Sequence, residues 1–309
     1  MKAIRVFAYG TPDMLTLAEV DDPVPGENEV LIDVATAAVN PIDWKIVSGS
    51  MQAFIKLALP FTPGVDAAGT VVAVGRNVTT LAPGDEVMGF IGIVGAYASR
   101  VVVDAARLAR KPAGLSFAQA AAMPAATLTA WQALHEHGAL QSGQSVLIHA
   151  AAGGVGSAAV QLASLAGAQV IGTASAGNRD YVLELGATQF IDYRAGDFSQ
   201  QVPKVDLVID LVGASTQARS WSVLKQGGTL VSTVSRPDTD HADIPAGATG
   251  KHFTTRSDGQ LLTDLAALYA SGGLHAHLDS AFPLAEANRA LERSMGGHVR
   301  GKVILDMSA

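Results

Sequence analysis

Cysteine is absent from all 309 residues. Disulfides, thiolate zinc sites and a cysteine nucleophile are therefore excluded. Charge is scarce as well: Asp, Glu, Lys and Arg make up 16% of the chain, against 49% hydrophobic residues. That balance excludes a disordered polymer and suits a well-buried globular enzyme. The 21 basic residues are outnumbered by 28 acidic ones, a net charge of −7, and no basic excess marks nucleic acid or an anionic membrane as partner. The opening MKAIRVFAYGTPDM lacks the apolar segment and small-residue cleavage site of a signal peptide, so a cytoplasmic chain is expected.

Long uninterrupted apolar runs are missing too. Residues 146–175, VLIHAAAGGVGSAAVQLASLAGAQVIGTAS, carry no Lys, Arg, Asp or Glu. Yet Gly153, Gly154, Gly156, Gly167 and Gly172 divide the stretch into pieces too short to cross roughly 30 Å of hydrocarbon. It reads as core plus a ligand site whose charge comes from the ligand.

Up to about residue 110 the chain reads as short β-branched strands between Pro/Gly turns, at 29–39, 69–75, 85–90 and 97–104. This spacing predicts an antiparallel, barrel-like domain. After Ser116, a candidate helix N-cap, come an Ala-rich helical stretch broken at Pro124 and then strands alternating with helices. Alternation with short connections predicts a parallel sheet covered on both faces. Residues 259–274 and 283–295 read as two further helices, and GKVILDM as a closing strand.

SVLIHA, AAGGVG and SAAVQLASLAG give strand, glycine turn and helix in the order of a dinucleotide site. The backbone amides of Gly153, Gly154, Val155 and Gly156 would meet a pyrophosphate at the positive end of the helix dipole. Ala151 stands at the first glycine position of GxGxxG, a departure from the pattern. The next strand ends in Thr173, Ala174 and Ser175 without the acid that an NAD ribose calls for, and Arg179 follows. A hydroxyl and a guanidinium suit a 2′-phosphate, so NADPH is the expected cofactor. Tyr193, after the third strand, fits either beside that phosphate or as a structural aromatic.

These stretches, with AAVNPIDWKIVSG (37–49), PFTPGVDAAGTVVAVG (60–75), APGDEVMG (82–89), AAMPAATLTAWQAL (121–134), LGATQFIDY (185–193) and GGHVRGKVIL (296–305), resemble the medium-chain dehydrogenase/reductase superfamily in its zinc-free quinone oxidoreductase branch. The resemblance implies an α/β chain with a GroES-like β-barrel domain over 1–120, completed by 275–309, and a Rossmann doubly wound parallel-sheet domain over 121–274. It also implies a homodimer. Zinc-dependent members hold metal through a Cys, a His in a GHE turn and a further Cys or Glu. Here Asn40, Gly64-Val65-Asp66 and Met123 occupy those places, so no metal is expected.

Without a Lewis acid the easier task is hydride delivery to an electron-poor quinone or α,β-unsaturated carbonyl. A metal-free ketone or aldehyde reductase and a non-catalytic NADPH-binding protein stand as alternatives, which the glycine turn cannot separate. By family position Asn40 and Thr127 should lie near the nicotinamide and its ribose, and Val212, Thr233 and Ser235 at the strand ends should border the cofactor. Arg300 or Lys302 would touch the pyrophosphate or stand on a solvated surface. Asn40, Asp43 and Tyr97 are the catalytic candidates, Tyr97 as a proton donor; Asn40 also fits a turn, Asp43 a helix cap and Tyr97 a strand aromatic. GGHVRGKV imitates a P-loop, but Val303 replaces its Ser/Thr, and no Tyr-x-x-x-Lys pair supports a short-chain reductase.

Overall fold

The computed structural model describes residues 1–308. Two compact units make up the chain: residues 1–125 with 257–309, and residues 126–256. In the first, the strands Leu278–Pro283, Lys302–Asp306, Glu29–Val39, Asp66–Val74, Glu86–Phe90 and Leu108–Arg110 lie side by side in that order, and Arg100–Asp104 also pairs with Glu29–Val39. Every pairing in this sheet is antiparallel except that of Leu278–Pro283 with Lys302–Asp306. The alternating β-branched residues supply one core, with Ile4, Val30, Ile32, Val87, Val103 and Leu305 buried in it. Ser116 caps the helix Phe117–Ala122 through a reciprocal pairing with Gln119, and Pro124 opens the next helix, Pro124–Trp131.

The second unit is a six-stranded sheet, all parallel, in the order Gln189–Asp192, Gln169–Ala174, Ser145–Ile148, Val205–Asp210, Leu224–Ser232, Thr249–His252. Its central strands are buried on both faces, which is why Val-Leu-Ile and Val-Asp-Leu-Val-Ile-Asp read as nearly continuous apolar runs. From Ser145–Ile148 the chain winds outward one way through two strands. It then returns to Val205–Asp210 and winds outward the other way, so the order reverses between these two central strands.

Two boundaries differ from the sequence expectation. The chain leaves the first unit after residue 125 rather than 120 and re-enters it at 257 rather than 275. The helix Gly259–Ala270 belongs with the first unit because its start lies against the strand Leu108–Arg110: a Cβ on Gly259 would sit 2.5 Å from the Leu108 carbonyl. The stretch TQARSWSVLKQGG is also not one helix. It turns through Ala214–Ser220, and its end from Leu224 onward is already strand.

Candidate active site

The glycine turn is held by the backbone. Ala150 takes a positive φ of 49°, its carbonyl accepts from Gly153 N at 3.0 Å, and Ala151 N donates to Thr173 O at 2.9 Å. The 12-residue helix Gly154–Leu165 then starts without a side-chain cap, with residues 153–155 partly exposed. Its first amides therefore lack a side-chain partner, the arrangement that suits an anion. A Cβ on Gly156 would lie 2.1 Å from Ala150 O, so this glycine is required for helix and strand to approach. At Gly153 the nearest protein atom to such a Cβ is 3.4 Å away and φ is −76°, so the protein itself does not demand glycine there. Ala151 is tolerated at the first position because Gly172 opposes it: a Cβ on Gly172 would come within 3.0 Å of the Ala151 Cβ.

The neighbouring strand ends divide the sequence candidates. Thr173 does not face a ligand; it is buried, and its Oγ1 lies 3.0 Å from His149 Nδ1. Ser220 Oγ donates to Thr216 O and sits 3.0 Å from His149 Nε2, so the ring carries its proton on Nε2 and accepts from Thr173 on Nδ1. Burial pushes His149 down to about 4, keeping it neutral. Ser175 is half-buried and accepts from Asn178 Nδ2 at 3.1 Å, while Arg179 is exposed with its guanidinium 5.8 Å from the Phe190 ring centre. Tyr193 follows the adjacent strand and is exposed, and Arg194, which the sequence reading passed over, places its guanidinium 5.6 Å from the Tyr193 ring centre. The Tyr193–Arg194 pair directly after a strand end was the signal available for it.

Across the switch in strand order, Val212 is exposed and Thr233 half-buried, their amides bound to Asp210 Oδ1 and Asp210 O. Ser235 is exposed and joined to Gln217. Thr127 is fully buried in the helix Pro124–Trp131.

In the first unit the structure corrects three assignments. Tyr97 is no proton donor to a substrate: its ring is wholly buried against Gly64, and its hydroxyl donates to Asp43 Oδ2 at 2.8 Å. Burial and the Asp43 carboxylate hold that phenol well above its ordinary range. Asp43 itself closes the start of the helix Pro41–Val47, accepting from Asn40 N at 2.7 Å. Its Oδ1 is buried with no hydrogen-bond partner, and burial pushes the carboxyl up to about 7.

Lys302 reaches no surface anion; its Nζ is 2.5 Å from Asn40 Oδ1 and 3.4 Å from Asp66 Oδ2, all buried. Asn40 Nδ2 in turn donates to Asp66 Oδ2 and Ala38 O, and Asp66 Oδ1 accepts from Ala125 N at 2.9 Å. Burial raises Asp66, with Lys302 opposing. Asp66, the hub of this knot, was absent from the sequence candidates; a lone acid at the head of an apolar strand was its signal. Arg300 is half-buried, its amide on Asp279 Oδ1.

The residues do not fit a zinc ion. Val65 and Met123 are buried and apolar, and the Asn40 amide oxygen is already taken by an ammonium group. Among the described residues no group of three His, Cys, Asp or Glu could hold a metal.

Comparison with known proteins identifies the family and the fold. The profile described as alcohol dehydrogenase GroES-like domain matches residues 26–113, and that described as zinc-binding dehydrogenase matches 185–305. Human quinone oxidoreductase is 32% identical over 322 residues, covering 99% of this chain and 97% of its own. The chain belongs to the medium-chain dehydrogenase/reductase superfamily, in its quinone oxidoreductase-like branch. The 2-methylene-furan-3-one reductase of Solanum lycopersicum is 36% identical over 321 residues, 99% of this chain and 79% of that one. The structure of Escherichia coli quinone oxidoreductase complexed with NADPH superposes with a TM-score of 0.91 at 30% identity, covering 99% and 100% of the two chains. This quinone oxidoreductase-like protein is thus an oxidoreductase with a GroES-like unit and a Rossmann-type unit. Among the described residues, no helix is long and apolar enough to cross a membrane.

Proposed function

We propose that the protein is an NADPH-dependent reductase of quinones or α,β-unsaturated carbonyls that works without a metal. The observation that carries this reading is the uncapped helix start at 154–156 beside a Gly153 whose missing side chain serves no internal packing. Backbone amides of Gly154, Val155 and Gly156 hold the diphosphate, and Arg179, with Arg194 nearby in the chain's next strand end, balances a 2′-phosphate. The chemistry that NADPH supplies when bound is a hydride. The protein aligns donor and acceptor and keeps water from the transfer. No side chain in the first unit's buried knot serves as acid: Tyr97 is committed to Asp43, and Asn40 to Lys302 and Asp66. The proton on the reduced oxygen or carbon comes from solvent.

The relatives named for quinone and 2-methylene-furan-3-one reduction support this substrate class. Anaerobic mixing of the protein with NADPH and a panel of quinones, enones and simple ketones tests it. Loss of 340 nm absorbance with quinones or enones is expected. Turnover of ketones alone, or of nothing, overturns it.

A further inference from the structure

The second unit contains a carboxylate with an unusual set of obligations. Asp210 ends the strand Val205–Asp210 and is fully buried. Its Oδ1 accepts the amides of Val212 and Gly213 at 3.0 and 2.8 Å. Its Oδ2 accepts Gln217 Nε2 at 2.9 Å and Ser232 Oγ at 2.7 Å. Ser232 passes the connection on, its Oγ accepting from Val234 N at 3.1 Å, while Gln217 Nε2 donates to Ser235 O at 3.1 Å. One side chain therefore ties together two loops, 211–213 and 233–235, that leave the carboxyl ends of adjacent parallel strands. The loops touch: a Cβ on Gly213, whose φ is 79°, would come within 2.9 Å of Val234 Cγ1. Above this polar knot Val212 and Val234 are left 49% and 38% exposed, an apolar shelf on a polar foundation.

The position of the shelf follows from topology. His149 N donates to Ile209 O, so Asp210 stands directly across the reversal in strand order from the glycine turn. A dinucleotide lying over such a reversal puts one mononucleotide on each half of the sheet. The half ending in Ser175, Arg179 and Tyr193 has the hydroxyl and the guanidinium that suit an adenosine 2′-phosphate. The other half, with Val212 and Val234, offers an apolar surface and backbone groups for the flat nicotinamide moiety.

We infer that Asp210 is a positioning residue for the nicotinamide half of the cofactor, locking the 211–213 and 233–235 loops into one rigid shelf without touching the cofactor itself. The inference rests on the NADPH reading above. In Asp210→Asn, the amide sets its NH2 group either against the backbone amides of Val212 and Gly213 or against Gln217 Nε2, none of which can accept, so a link to one loop is lost while the carboxamide keeps the size of the side chain. Ser232→Ala is a milder cut through the same link.

The test is paired titration of the full-length wild-type and variant proteins with NADPH and with adenosine 2′,5′-bisphosphate, which occupies only the first half. Asp210→Asn is expected to weaken NADPH by about tenfold or more, the scale of one or two lost hydrogen bonds to a charged group, and to leave the bisphosphate within about twofold. Ser232→Ala should show the same split at smaller size and carries the test if Asp210→Asn fails to fold. Equal weakening of both ligands, or an unchanged NADPH affinity in either variant, overturns the inference. Failure of the wild type to bind either ligand overturns the cofactor reading along with it.

Discussion

Two buried carboxyls, Asp43 and Asp66, share the first unit's polar knot with a single ammonium, that of Lys302. One negative charge is left over, and it falls on Asp43, whose Oδ1 has no partner. Burial pushes that carboxyl from the usual 3.8 up to about 7. Below about pH 4 the folded and unfolded chains both hold this proton. Between about pH 4 and 7 the unfolded chain loses it and the folded chain keeps it, so this group lowers stability by about 1.4 kcal/mol per pH unit. The total over that window is about 4 kcal/mol, and above pH 7 the loss is complete. Asp43→Asn removes the titration while leaving one oxygen to accept from Asn40 N and the Tyr97 hydroxyl. Urea unfolding of wild type and variant from about pH 4 to pH 8 should then show the variant gaining about 4 kcal/mol relative to wild type. Titrating groups remote from the knot cancel in that difference. A difference that stays constant with pH would refute the assignment of a buried, protonated Asp43.

Three further outcomes follow from the second unit. Arg179→Ala should weaken NADPH by roughly 1.5–3 kcal/mol more than NADH, read by fluorescence titration; equal weakening would show that the guanidinium meets no 2′-phosphate. Ser175→Asp should shift the preference toward NADH, and an unchanged NADPH preference would defeat the strand-end argument. Gly156→Ala should lower stability by roughly 1–3 kcal/mol, since its Cβ would stand 2.1 Å from a backbone oxygen that cannot rotate away, and thermal melting reports it.

What was legible in the sequence was local. The glycine turn, the N-cap at Ser116 and the strand-helix alternation are set by neighbours within a few positions, so residue order alone exposes them. Lys302 was misplaced because its partners Asn40 and Asp66 lie 262 and 236 positions away, and a lysine in a closing strand looks the same whether it points in or out. Tyr97 and Thr173 failed for a related reason: each sits in or beside a strand with a polar tip free on paper, and only tertiary packing shows that Asp43 and His149 have already claimed it. The helix Gly259–Ala270 was recognised from its apolar spacing, but which unit it joins depends on the Leu108–Arg110 strand, far away in sequence. The bonding of Asp210 was not legible because the four donors to its side chain come from a loop (Val212 and Gly213), the helix after it (Gln217) and the end of the next strand (Ser232), and they converge only in the folded chain.

Gly153 decides the matter most sharply, because its backbone accepts an alanine and its surroundings leave room for one. Titrating NADPH into wild type and Gly153→Ala, with melting temperatures measured on both, should give equal melting and an affinity lower by about tenfold or more in the variant, as a methyl group blocks the approach of the diphosphate. Equal affinities would mean that nothing negatively charged rests on this turn.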